Sequence, residues 1–205
     1  MPATDRSLDG LTFLTDAARQ ALRRRLRELA GFALIVLALL LAIALTTWSV
    51  QDPSLSHATN APVRNLLGIT GASIADLSMQ LLGLGGLALV LPIAVWGWRL
   101  ASHRPLCRER IRLVIWIVAV ALAAAFAATL PATASWPLPA GLGGVVGDAE
   151  LRLVAMLTGV PLGGLTRFGV AAATGIAGLT AFALACGFGL HGLRRKADAD
   201  RKSVV

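Results

Sequence analysis

Charge is scarce in this sequence. Only 15% of its 205 residues are Asp, Glu, Lys or Arg, where soluble domains carry roughly a quarter. Hydrophobic residues make up 56% and the mean hydropathy is +0.72. An apolar excess of this size needs lipid to hide it, which excludes an ordinary soluble globule. Cysteine is almost absent. Cys107 and Cys186 stand in different segments, so neither a disulfide framework nor a thiolate metal site is expected. His57, His103 and His191 are separated by long apolar runs and cannot form one site. Gly83-Leu84-Gly85-Gly86 and Gly141–Gly147 are glycine-rich, but no lysine follows to reach a phosphate. No ionisable residue falls in the middle of an apolar run, and such a residue is the usual mark of a proton relay or ion path. No catalytic residue, cofactor or metal is therefore predicted, and the chain reads as non-enzymatic. A cleavable leader is not expected either. The first apolar run is about 20 residues long, beyond a signal-peptide core, and no small-residue cleavage pattern follows it.

What is present is a set of four long apolar runs, at about 29–48, 77–98, 113–130 and 168–190. At 1.5 Å per residue, about 20 residues cross a ~30 Å hydrocarbon core. The fold class is thus an all-α membrane protein with four transmembrane helices. Residues 1–28 form a basic arm, 29–192 the four-helix domain and 193–205 a tail. Within the arm, Leu8, Leu11, Ala18, Leu22, Leu26 and Leu29 recur at helical spacing, and Arg19, Arg23, Arg24, Arg25 and Arg27 fill the other faces. This pattern predicts an amphipathic helix over 5–27 that lies on the membrane and meets anionic lipid. Pro92 removes a backbone donor in span two and predicts a kink. Between spans three and four, Asp148 is a candidate N-cap for a short helix over about 149–158, surface-lying or re-entrant.

Basic residues set the orientation. Arg6, Arg19, Arg23, Arg24, Arg25 and Arg27 precede span one, and Arg99, Arg104, Arg108, Arg110 and Arg112 join spans two and three. Arg194, Arg195, Lys196, Arg201 and Lys202 follow span four. Only Arg64, Arg152 and Arg167 remain for the other two loops. Positive charge stays on the cytoplasmic side, so both termini are predicted inside a bacterial plasma membrane. Residues 49–76 and 132–167 are predicted outside. The tryptophans agree, with Trp48 and Trp136 near predicted outer boundaries and Trp96, Trp98 and Trp116 near inner ones.

In span four, Gly169, Ala173, Ala177, Ala181, Ala185 and Gly189 fall four apart. They predict a face of small residues that lets another helix approach closely.

The first outer loop is the most distinctive stretch. Ser49, Asp52, Pro53 and Ser54 follow span one, and Asp52-Pro53 starts a turn. Asn65, Gly68, Gly71, Ala72, Ala75, Asp76 and Leu77 then lead into span two. This order resembles the N-terminal membrane domain of FtsK-type (FtsK/SpoIIIE) bacterial DNA translocases. That family has an S-x-x-D-P-S segment after its first span and an N-x-x-G-x-x-G-A-x-x-A-D-L segment before its second. Gly143-Gly144-Val145-Val146-Gly147 matches a Gly-Gly-hydrophobic-hydrophobic-Gly run of the family's second outer loop. The resemblance covers about residues 30–192. It implies a membrane anchor that acts in cell division and chromosome segregation, sits at the septum, forms a homo-oligomer of the hexameric kind and contacts other division membrane proteins. DNA and ATP would be partners only through a motor domain, and no motor sequence occurs up to Val205. Two rival readings are a small transporter or channel subunit and a generic membrane scaffold.

Overall fold

Each apolar run folds as a helix because, in lipid, only a helix satisfies its own backbone. The structure, a computed structural model, describes residues 16–59, 61–104, 109–134, 136–160 and 163–188. Among the described residues, all regular structure is helical. Helix α1 runs Asp16–Thr46. Span two is composite: α2 (Gly68–Leu82), a 3-10 segment (Gly83–Leu89) and α3 (Val90–Ala101). Helix α4 is Glu109–Thr129, α5 is Gly144–Thr158 and α6 is Gly164–Cys186. Four stretches are long and apolar enough to cross a membrane: Ala18–Thr46, Gly68–Ala101, Glu109–Thr129 and Gly164–Cys186.

The described part of the basic arm is continuous with span one. No Gly or Pro interrupts Asp16–Thr46 before Gly31, and Arg24 and Arg25 reach Glu28 at 3.4 and 2.8 Å across the junction. Residues 1–15, and with them the first part of the expected surface helix, lie outside the described residues, as does the tail 193–205. Span two starts nine residues before the expected Leu77, at Gly68.

Spans one and two cross in backbone contact. A Cβ on Gly31 would stand 2.5 Å from the Ala101 nitrogen, and one on Gly97 would stand 2.8 Å from the Gly31 oxygen. Hydrophobicity does not drive helices together in lipid, so van der Waals contact of this closeness holds the pair. Span three packs on span four, with Phe126 over Gly175 and Leu122 over Gly178.

Helix ends inside a membrane leave carbonyls that need donors. Arginines from neighbouring spans supply them. At the loop end of α4, Arg167 Nε donates to Thr129 O at 2.7 Å, and its Nη2 reaches the Ala128 and Leu130 oxygens at 3.3 Å each. At the opposite, arginine-rich end of α6, Arg99 Nη1 donates to Cys186 O at 2.9 Å and Trp96 Nε1 to Ala185 O at 2.8 Å. A cation at a helix C-terminus also meets the negative end of the dipole. Arg112, 1% exposed, lies against Gly187 at the same place.

Two tryptophans expected at the interface are turned inward. Trp96 and Trp116 meet edge to face at 5.5 Å, while Trp98 is 63% exposed. The reason is local. Pro92 has no N–H for the carbonyl of Ala88, four residues before it. Trp116 Nε1 donates to that oxygen at 3.3 Å. Trp116→Phe keeps an aromatic ring against Trp96 and removes the donor together with the second ring of the indole. An SDS-unfolding titration is expected to show a loss of about 1–2 kcal/mol. No change in midpoint would mean that the bond contributes nothing.

Candidate interaction site at the loop end

The chain leaves α1 at Thr46 and returns at Gly68, and three buried polar side chains close this loop. Asp52, 3% exposed, accepts the backbone N–H of Arg64 and of Asn65, each at 2.9 Å. It thereby ties the start of the loop to its end. Asn65, 4% exposed, donates from Nδ2 to the Ala44 carbonyl at 2.8 Å, and its Oδ1 accepts the Leu67 N–H at 3.1 Å. One side chain thus serves the C-terminus of α1 and the approach to α2. Asp76, 8% exposed, accepts on Oδ2 from Ser54 Oγ at 2.7 Å, from Ser56 Oγ and from Gln80 Nε2 at 3.0 Å.

The glycines and alanines of the motif make this closure possible. Gly68 opens α2 at φ +67°, a conformation that favours glycine. A Cβ on Gly71 would fall on Asn65 Oδ1 and on the Leu67 side chain. Ala72 and Ala75 are 1% and 0% exposed, and Ala75 packs in a cluster with Ala44, Leu45 and Met79.

The structure therefore brings together Asp52, Ser54, Asn65, Gly68, Gly71, Ala72, Ala75 and Asp76. Pro53 is half-buried beside them. Ser49 makes only a local turn, its Oγ accepting the Gln51 N–H at 3.3 Å. Leu77 points away and is 53% exposed. Sequence reasoning missed Ser56, Gln80 and Thr47. Thr47 Oγ1 accepts the Leu66 N–H at 3.3 Å. Gln80 was findable, since it stands one helical turn after Asp76, where i,i+4 side chains meet.

The second loop is threaded into the helices. Leu84 N donates to Leu142 O at 2.8 Å, so the 3-10 segment of span two gives a backbone donor to this loop. Three glycines crowd onto Ala124 of α4. A Cβ on Gly85 would lie 2.6 Å from Ala124 N, and one on Gly147 2.8 Å from Ala124 C. One on Gly143 would lie 2.7 Å from Ala128 N. Helix α5 begins five residues earlier than expected, at Gly144, and its N-cap is Gly143. Asp148 is displaced from that role into the first turns, where Oδ2 accepts the Gly141 N–H at 3.3 Å. The far half of α5 is open, with Leu153, Met156 and Leu157 exposed.

Between the two loops lies a cleft of about 720 Å³. Gln51, Ser56, Asp76 and Gln80 face it from one side, and Leu138, Pro139 and Val145 from the other.

The small-residue face of span four is not used between the described helices for most of its length. Gly169, Ala173 and Ala177 are exposed, Ala181 is half-buried and Ala185 is fully buried at the arginine end. Gly189 lies outside the described residues.

A family model described as the 4TM region of DNA translocase FtsK/SpoIIIE matches residues 23–197. The chain is 53% identical over 161 residues to a DNA translocase FtsK of Bradyrhizobium diazoefficiens, covering 78% of this chain and 20% of that protein. It is 46% identical over 136 residues to the DNA translocase FtsK of Agrobacterium fabrum, covering 66% and 15%. With the Brucella suis protein of the same name, identity is 43% over 151 residues, covering 74% and 17%. The match thus spans at most a fifth of the length of these curated relatives. No solved structure matches.

Proposed function

Because the chain belongs to the family of the 4TM region of the DNA translocases FtsK and SpoIIIE, we propose that it anchors a DNA translocase at the division septum and assembles there with copies of itself. It is an inner-membrane, multi-pass region of such a translocase. In the proposed arrangement both termini and the 99–112 loop face the cytoplasm. The loop end with Asp52, Asn65 and Asp76 faces outward, toward other division membrane proteins. The arginines before span one meet anionic lipid. DNA movement and ATP hydrolysis belong to a motor outside these residues, and the chain itself is non-enzymatic.

The observation that carries the reading is the family match over residues 23–197. The structure supports the assembly part in one respect. Gly169, Ala173 and Ala177 form an exposed small-residue face, open to a helix of another copy. The test is the position of the 205-residue chain, fused at its C-terminus to a fluorescent protein, in dividing cells. Enrichment at the septum is expected, and an even envelope signal would remove septal targeting from the proposal. In the same cells Ala177→Leu is expected to lower crosslinking between copies by about tenfold, the loss that 1.4 kcal/mol produces. Unchanged crosslinking would put the seam elsewhere.

A further inference from the structure

We propose that the cleft between the two loops receives a lysine or arginine side chain from an extended segment of a partner protein on the loop side. The proposal goes beyond the anchoring reading and does not depend on septal targeting. It starts from Asp76. This carboxylate is 8% exposed, and the donors around it, from Ser54, Ser56 and Gln80 and the indole of Trp48, are all neutral. Among the described residues no arginine, lysine or histidine lies within ion-pair distance of it. A carboxylate so enclosed is ordinarily paired with a cation. This one instead borders a cleft of about 720 Å³.

The opposite wall gives the rest of the ligand. Leu138, Pro139 and Val145 are apolar and come from the second loop. An apolar wall facing a single buried negative charge fits a side chain with a hydrocarbon stem and a cationic head. Gln51 and Gln80 flank the carboxylate with carboxamides, which both donate and accept. Gln80 spends its Nε2 on Ser56 at 2.7 Å and on Asp76 at 3.0 Å, and its oxygen accepts no hydrogen bond among the described residues. Such groups suit the peptide backbone on either side of a basic residue. An ammonium lipid headgroup fits less well. It would bring a phosphate close to Asp76, and the lining holds no arginine or lysine to meet it, His57 being its one basic side chain.

The test uses the purified full chain in nanodiscs. Cys107→Ser removes one native thiol, and Cys186 is 2% exposed. Val50→Cys then places a thiol on the cleft lining, at a position 37% exposed. Leu55→Cys, 89% exposed and outside that lining, is the control. The cationic methanethiosulfonate reagent is expected to outpace the anionic one at Val50→Cys. The ratio should stand about tenfold above the control ratio, the factor that 1.4 kcal/mol of charge interaction gives. Acetyl-lysine methylamide should slow the reaction, and acetyl-norleucine methylamide should not. Asp76→Asn should abolish both effects while leaving hydrogen-exchange protection of the Arg64 and Asn65 amides unchanged, which reports an intact loop. Val145→Ser, at an exposed position, should weaken protection by the lysine compound alone. Equal ratios at the two cysteines, or equal protection by lysine and norleucine, would overturn the proposal. Stronger protection by glycerophosphoethanolamine than by the lysine compound would also overturn it, in favour of a lipid headgroup.

Discussion

Gly147→Leu is expected to lever α5 away from span three and to cost at least ~3 kcal/mol, the upper range for overpacking. Gly147 has no room for even one carbon. A Cβ there would lie 2.8 Å from the Ala124 backbone carbon and 3.0 Å from the Ala128 Cβ. The obstructing atoms are Ala124 backbone and an alanine methyl fixed to it at Ala128, and neither can swing aside as the end of a flexible side chain would. Span three cannot yield either, because Gly85 holds its own backbone against Ala124 from span two. The substitution therefore separates α5 from α4 and withdraws the Leu142 carbonyl from the Leu84 N–H. An amide orphaned at that depth adds its own cost. Two measurements check this. The SDS-unfolding midpoint should fall, and crosslinking between cysteines placed at 84 and 142 should be lost. Retained crosslinking with a wild-type midpoint would mean that α5 is not wedged where the structure puts it. Gly163→Leu, at a position with open space around it and an extended backbone, is the matched control and should leave both readings unchanged.

Particular residues explain what the sequence could and could not reveal. Four spans were legible because their signal is summed over some 20 residues and any apolar composition of that length carries it. The roles of Asp52, Asn65 and Asp76 were legible only as a pattern. Nothing in a turn signal says that one carboxylate will collect two amides twelve and thirteen residues away. The 3-10 segment of span two was hidden because Gly83, Gly85 and Gly86 read as helix packing within an unbroken apolar run. It exists because the second loop supplies a backbone acceptor from outside the helix. The close crossing of spans one and two was hidden for a related reason. It rests on one glycine from each helix, Gly31 and Gly97, and a search for small residues every four positions passes over such a pair. That search found the stripe on span four, most of which the described helices leave exposed. The early start of α5 follows from the same limit. Gly143-Gly144 reads as a loose connection until Ala124 and Ala128 are seen to need close neighbours.

Asp52→Ala is expected to open the first loop and to cost about 1–4 kcal/mol, since it orphans one buried amide, of Asn65, at about 1–3 kcal/mol and a half-buried one, of Arg64, at less. The carboxylate is 3% exposed and its two bonds, to the Arg64 and Asn65 N–H groups, are both 2.9 Å. With Asp52 gone, the backbone at Asn65 is free to turn. Its side chain then loses the Ala44 carbonyl at the end of span one. Asp52→Asn should fall between alanine and wild type. Its amide oxygen can keep one acceptor role, but its NH₂ group would oppose the other N–H. Hydrogen exchange at the Arg64 and Asn65 amides gives the local readout. Both should lose protection in Asp52→Ala, and one should keep it in Asp52→Asn. The double variant Asp52→Ala/Asn65→Ala should cost less than the two single changes together, because residues of one hydrogen-bonded network are not additive. If Asp52→Ala costs under about 1 kcal/mol and exchange is unchanged, the loop is held by the apolar cluster of Ala44, Leu45, Ala75 and Met79, and the buried carboxylate is incidental to its closure.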